Sequence, residues 1–285
     1  MKLQDPVALP GVLAEPRHRV AMPRPNPVVA FVSKTLTIAE WEVRKLAHDP
    51  TDLLTRTVQP ALWLLVFGQV FSRIRAVPTG GYSYMDFLAP GILAQSVLFL
   101  SIFFGIAIVW ERDLGVIHKF LASPTPRAAL VTGKALSAGV RALPQAAIIY
   151  VIALLLGVKM DWNPLALLGV VVMVVLCAAL FATFSVIIAC KLKTRDRVMG
   201  IGQVLTMPLF FASNAIYPIS QMPGWLQVVA RLNPLSYAVD GLRTMMLAGG
   251  ASASTNSLGV DFAVVGIVAV VMILIGARLY PEIVQ

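Results

Sequence analysis

From residue 53 onward the chain is organised into unbroken apolar blocks separated by short polar connections. A helix needs about 20 consecutive apolar residues to cross the hydrocarbon of a bilayer. Six stretches meet that need, at roughly 53–71, 87–110, 137–158, 164–190, 198–218 and 260–277. The first carries Arg56, Gln59 and Pro60 in its early turns. An arginine there can snorkel to the headgroups, and a proline is tolerated near a helix start, so the span stands. Ahead of it, residues 31–48 set Phe31, Leu36, Ile38, Trp41, Val43 and Leu46 among charged positions in an imperfect helical stripe. That stripe predicts, over 31–50, an amphipathic helix in the membrane interface with Trp41 at headgroup level, or else a short soluble helix packed on a partner. Residues 1–30 contain six prolines and no apolar run, which predicts a disordered, solvated tail and no cleavable signal peptide.

Two connections are longer than turns require. Residues 111–136 begin with the triplet Glu111, Arg112, Asp113, directly after Trp110. Leu114, Val116, Ile117, Phe120 and Leu121 then predict a short helix with an apolar side, stopped by Ser123, Pro124 and Pro126. Such a helix fits two roles: a knob that docks into a partner's groove, or a surface helix lying flat on lipid. Residues 219–259 are too apolar for a free loop. Trp225, Leu226, Val228, Val229, Leu232, Leu235 and Tyr237, broken by Pro223 and by Asn233 with Pro234, predict two short helices. These would either dip into one leaflet and roof a cavity or lie on the headgroups, since broken backbone at membrane depth must be buried or line water. Asp240 and Arg243 stand on the second of them, three apart, where they could pair near the surface.

Composition agrees with a lipid solvent: of the 285 residues 58% are hydrophobic and 13% charged, with a mean hydropathy of +0.80. The net charge of +9 does not imply nucleic-acid binding, because the basic residues are scattered between apolar blocks instead of forming one face. Their scatter sets orientation instead. With the N-terminus cytoplasmic, 17 Lys and Arg fall on inner segments and five on outer ones, leaving Arg141 uncounted. This bias predicts both termini inside, the 111–136 connection cytoplasmic and the 219–259 connection external.

Candidate chemistry within the chain is sparse. Thr132, Gly133, Lys134 and Ala135 only faintly resemble a phosphate loop, since Ala128 stands where the first glycine is needed and Ala135 replaces the magnesium-binding hydroxyl. The span interiors are read as free of Asp and Glu, which disfavours an ion-coupled transporter, the alternative reading. Gln69, Gln95, Gln145, Gln203 and Asn214 are expected as interhelical hydrogen-bond partners. Ser96, Ser101 and Ser185 have no activating base in any span, so no catalytic residue is predicted. His18, His48 and His118 lack ligand spacing, and Cys177 and Cys190 lie too far apart on one helix to pair. No metal site is expected.

Two motifs carry a family resemblance. Glu111, Arg112, Asp113, Gly115, Ser123, Pro124, Gly133 and Lys134 fall where the ABC-2 type transporter permeases carry a charged triplet, a coupling helix and a Gly-Lys pair. Tyr217, Pro218, Met222, Pro223, Trp225, Asn233, Pro234, Tyr237, Asp240, Gly241 and Arg243 resemble the stretch ending that family's fifth span. Over residues 30 to 285 the chain resembles the daunorubicin-resistance and Nod-factor export branch. The resemblance implies an all-α integral membrane fold of six spans, with an interface helix, a cytoplasmic coupling helix and re-entrant outer-leaflet helices. It implies a permease subunit in the bacterial cytoplasmic membrane, pairing with a second copy or a close homologue. Two soluble ATPase subunits would bind the ATP and magnesium and engage Glu111, Arg112, Asp113, Val116, Ile117, Phe120 and Leu121. Export of a drug, lipid or lipid-linked glycan would pass a gate built on Tyr217, Pro218, Trp225, Asn233, Pro234, Tyr237, Asp240 and Arg243.

Overall fold

The computed structural model of the chain describes residues 33, 36, 37, 40, 44, 50–74, 79, 81–115, 117, 127–192, 194–250 and 254–280. Among them the structure is helical, with one isolated backbone bridge between Met160 and Leu247. The expected interface helix over 31–50 lies almost wholly outside the described residues. Those described in it are helical: Thr37 donates to the Ser33 carbonyl and Arg44 pairs with Glu40 four residues back.

The first apolar block forms α1 (Pro50–Leu62), a π-helical turn (Trp63–Gly68) and α2 (Gln69–Ile74). Pro60 leaves the Arg56 carbonyl without its helical donor, and the wider turn follows directly. Trp63, Phe67 and Phe71 stack along this rod at centroid distances of 4.3 and 6.1 Å, and Phe71 meets Tyr84 at 5.4 Å. The second block gives α3 (Tyr84–Ile106), a break at Ala107 and α4 (Ile108–Asp113). Then come α5 (Arg127–Leu155), α6 (Pro164–Lys191), α7 (Arg195–Phe211), α8 (Gly224–Leu232), α9 (Pro234–Met246) and α10 (Leu258–Leu279).

Four of these rods are long and apolar enough to cross a membrane: Tyr84–Asp113, Arg127–Leu155, Pro164–Lys191 and Leu258–Leu279. The other two expected spans differ from the apolar pattern. The first is interrupted by its π turn, and α7 has 17 residues and stops at Phe211, short of the expected 218. At that stop Asn233 caps the helix, its Nδ2 donating to the carbonyls of Leu209 and Ala212 at 2.7 and 2.8 Å. In the opposite direction, α5 starts ten residues before the expected 137, which places Thr132–Ala135 within a helix and not in a loop.

α3 is the central helix, buried around nearly its whole circumference. Its neighbours approach closely because small residues face them. A Cβ on Gly91 would lie 2.2 Å from the Ala215 carbonyl, and one on Gly105 would lie 2.5 Å from the Ala182 carbonyl on α6. Ser185 of α6 donates to the Ile102 carbonyl of α3 at 2.7 Å. Between helices in lipid, where burial supplies little net drive, close packing and such bonds hold the bundle. α10 packs on α6, with Gly276 beside Thr183, and turns Ile267, Val270 and Leu274 outward. Of the polar residues expected to bond between helices, Gln145 does so, accepting from Thr57 at 3.2 Å. Gln69 and Gln203 are exposed instead.

Candidate functional site

The chain's charged side chains gather at the two ends of the bundle. At one end, the break at Ala107 and the left-handed Gly115 (φ 72°) bracket α4, whose charged triplet buries Glu111 and leaves Asp113 exposed. Glu111 is buried and accepts from the Lys134 ammonium, which also lies 5.2 Å from the Phe104 ring centroid. Asp113 accepts from Arg195 at 2.6 Å and from Arg112 at 3.1 Å. Arg112 reaches the Leu192 carbonyl at 3.5 Å, and the Arg195 guanidinium lies 5.8 Å from the Trp110 ring. The triplet therefore ties α4 to α5, to the end of α6 and to the start of α7. Its charges are paired within the chain, with Glu111 buried and the Asp113–Arg195 pair open to solvent. Ile117 is helical and fully buried, while Val116, Phe120 and Leu121 fall outside the described residues.

At the opposite end, the residues expected to form a gate lie on one continuous segment. Tyr217 donates to the Phe211 carbonyl at 2.7 Å, and Pro218 opens a 3-10 turn at Ile219–Gln221. α8 follows, with Trp225 70% exposed on its outer side. Asn233 and Pro234 divide α8 from α9, as their sequence predicts: the Asn233 carboxamide oxygen caps α9 by accepting from Leu235, and Pro234 takes the first helical position. Tyr237 donates to the Arg231 carbonyl at 2.8 Å, which locks the angle between the two helices.

Asp240 and Arg243 depart from the sequence expectation of a hydrated pair near the surface. Both are buried. Arg243 stacks over the Phe87 ring at 3.8 Å and donates to the carbonyls of Asn214 and Phe87 at 2.8 and 3.3 Å, with Asp240 4.0 Å away. Asp240 accepts from the backbone amides of Thr255 and Asn256, each within 3.0 Å. Burial pushes its carboxyl above the usual range, while those amides and Arg243 oppose the shift.

Three further polar residues belong to this end. Asp86 forms a capping box with Ser83 and accepts from the Lys159 amide at 3.1 Å. The Ser83-x-x-Asp86 spacing is the visible signal for it. Asp261 is fully buried in the first turn of α10, at the end of that span and outside its interior. Asn214 is likewise buried, held beneath Arg243 through its carbonyl.

Comparison with known proteins agrees with this architecture. The pattern of the family described as ABC-2 type transporter matches residues 33–247. The daunorubicin resistance ABC transporter permease protein DrrB1 of Streptomyces coeruleorubidus is 26% identical over 215 residues, covering 75% of each chain. Nodulation protein J of Rhizobium leguminosarum bv. trifolii is 28% identical over 215 residues, covering 74% of this chain and 80% of its own. The probable doxorubicin resistance ABC transporter permease protein DrrC of Mycobacterium tuberculosis is 25% identical over 259 residues, covering 89% and 91%. With its apolar helices, its charge clusters at the two ends of the bundle and this match over most of its length, the chain belongs to the ABC-2 type transporter family, a multi-pass membrane subunit of a transporter.

Proposed function

We propose that this chain is the six-span permease half of an ATP-driven exporter in a bacterial cytoplasmic membrane. Both termini face the cytoplasm. Two copies, or this chain and a close homologue, assemble with two soluble ATPases that hold ATP and magnesium, and the cargo is an amphiphile: a drug, a lipid or a lipid-linked glycan. The observation that carries this reading is that α7 is tied at both ends. Its first residue, Arg195, holds Asp113 of the inner triplet, and its last carbonyls are held by Asn233 of the outer hairpin. A rigid helix so tied passes a displacement from one end to the other. ATPase closure pushing on residues 114–126 would move α4, and through Asp113 and Arg195 it would shift α7 against α8 and α9. The segment Tyr217–Arg243 then acts as the exit gate.

The test uses the full complex in proteoliposomes. Replacing Phe120 and Leu121 together by glutamate is expected to abolish ATP-driven transport while membrane insertion and basal ATP hydrolysis persist. Full transport by that double variant would overturn the coupling assignment. A second reading, ion-coupled transport, draws on buried Asp86, Asp240 and Asp261. These lie together at the outer end and not at the midplane where a coupling carboxylate works. Collapse of the proton gradient that stops transport with ATP still present would favour it.

A further inference from the structure

Behind the outer hairpin lies a polar cavity of about 590 Å³, within the range of sites that hold small molecules. Asn214 and Ser236 line it, both buried, and the Asn214 carboxamide oxygen and the Ser236 hydroxyl have no hydrogen-bond partner. Those two atoms are themselves closed off from the cavity, so a ligand there meets other polar groups. The remaining polar wall comes from Gln227 and Arg231 on α8 and from Thr255 and Asn256, which Asp240 holds in place through their amides. Arg231 is the cationic side chain among the described lining residues, and the Asp240 carboxylate stands behind Thr255 and Asn256.

The position of the cavity follows from α8. Trp225, Val228, Val229 and Leu232 recur at helical spacing on its exposed side, while Gln227, Ala230 and Arg231 line the cavity. A helix of this kind lies in the interface with its apolar side about 5–10 Å into the headgroup and acyl boundary. Its polar side, and the cavity behind it, then stand at the level of the outer headgroups.

We infer that this cavity binds the headgroup of an outer-leaflet lipid whose phosphodiester carries free hydroxyls. Arg231 takes the phosphate, and Gln227, Thr255 and Asn256 take the hydroxyls. The acyl chains leave over the apolar side of α8. The inference rests on the external placement of the hairpin, but not on ATP-driven export.

The test needs no ATPase. The full chain in delipidated micelles is mixed with equal mole fractions of dioleoyl phosphatidylglycerol and dioleoyl phosphatidylcholine, and lipid retained on the protein is measured by native mass spectrometry. The expected result is at least threefold preference for phosphatidylglycerol. Arg231→Gln and Asn256→Ala, both with unchanged thermal unfolding, should each remove most of it. Soluble glycerol 3-phosphate at millimolar concentration should displace little of the lipid. Equal retention of the two lipids, or a preference untouched by both variants, would overturn the pocket, and full displacement by glycerol phosphate would assign it to a free phosphate ester instead of a membrane lipid. A complex that exports cargo yet shows no lipid preference refutes this pocket alone. One that shows the preference without ATP-driven transport refutes the export reading alone.

Discussion

The Glu111–Lys134 pair shows what residue chemistry contributes where α4 meets α5. Both side chains are largely withdrawn from solvent, at 12% and 10% exposure, so each charge depends on the other for the hydration it has lost. Removing one partner of such a pair costs about 3–5 kcal/mol, whereas replacing both by apolar groups of similar volume is often close to neutral. Glu111→Gln is therefore expected to lower unfolding stability by several kcal/mol, and Glu111→Leu with Lys134→Met to recover most of the loss. Denaturant titration of the purified chain measures both, and equal losses in the single and double variants would show that the pair is not coupled. Sequence alone shows Glu111 and Lys134 as two motif letters 23 positions apart. Their meeting becomes visible only when α4 and α5 are placed side by side. The same limit explains Arg243. Its neighbours in sequence say that it lies on an amphipathic helix, but the Phe87 ring and Asn214 carbonyl that receive it come from elements 156 and 29 residues away.

At the scale of elements, helix ends were more legible than helix neighbours. Asn163 before Pro164, and Asn233 before Pro234, each cap a helix as their local chemistry dictates, accepting from Leu165 and Leu235. The second role of Asn233, capping the end of α7, has no local signal, because the carbonyls it meets lie 21 and 24 residues away. Its two roles can be separated. Asn233→Asp keeps the oxygen that caps α9 but turns a second oxygen toward the Leu209 and Ala212 carbonyls. Asn233→Ala loses the cap, about 1 kcal/mol, and leaves those carbonyls unpaired. Thermal unfolding is expected to rank aspartate no better than alanine, and a wild-type melting temperature for the aspartate variant would make the cap the sole role. Glycines give a parallel contrast. Gly91→Ala drives a methyl into the Ala215 backbone and should cost about 2 kcal/mol or more, while Gly266→Ala meets nothing within 4 Å and should be neutral or slightly stabilising. Similar losses at both glycines would contradict the close approach of residues 91 and 215.

For the whole molecule, the alternation of helix ends is the strongest constraint on how the chain sits in a membrane. The inner triplet, Lys134, Lys191, Arg195 and Arg278 share one end, and Ser83, Lys159, Asn163 and the hairpin of α8 and α9 share the other. The basic-residue bias assigns the first end to the cytoplasm. Thr194 and Ser257 are exposed, at the start of α7 and just before α10, so they report the two ends independently. In a background with Cys177 and Cys190 replaced by serine or alanine, Ser257→Cys should react with a membrane-impermeant maleimide on intact cells. Thr194→Cys should react only after permeabilisation. The native cysteines are buried, so their replacement must conserve volume as far as possible, and retained transport in the background checks that it has. Because α7 stops at Phe211, this assay also asks whether a 17-residue helix completes a crossing with the help of the turns that follow it. If it does not, Thr194 and Ser257 would label from the same side. That single outcome would remove the fifth span, place the α8 and α9 hairpin in the cytoplasm and undo the exit gate, whereas labelling from opposite sides fixes the hairpin outside.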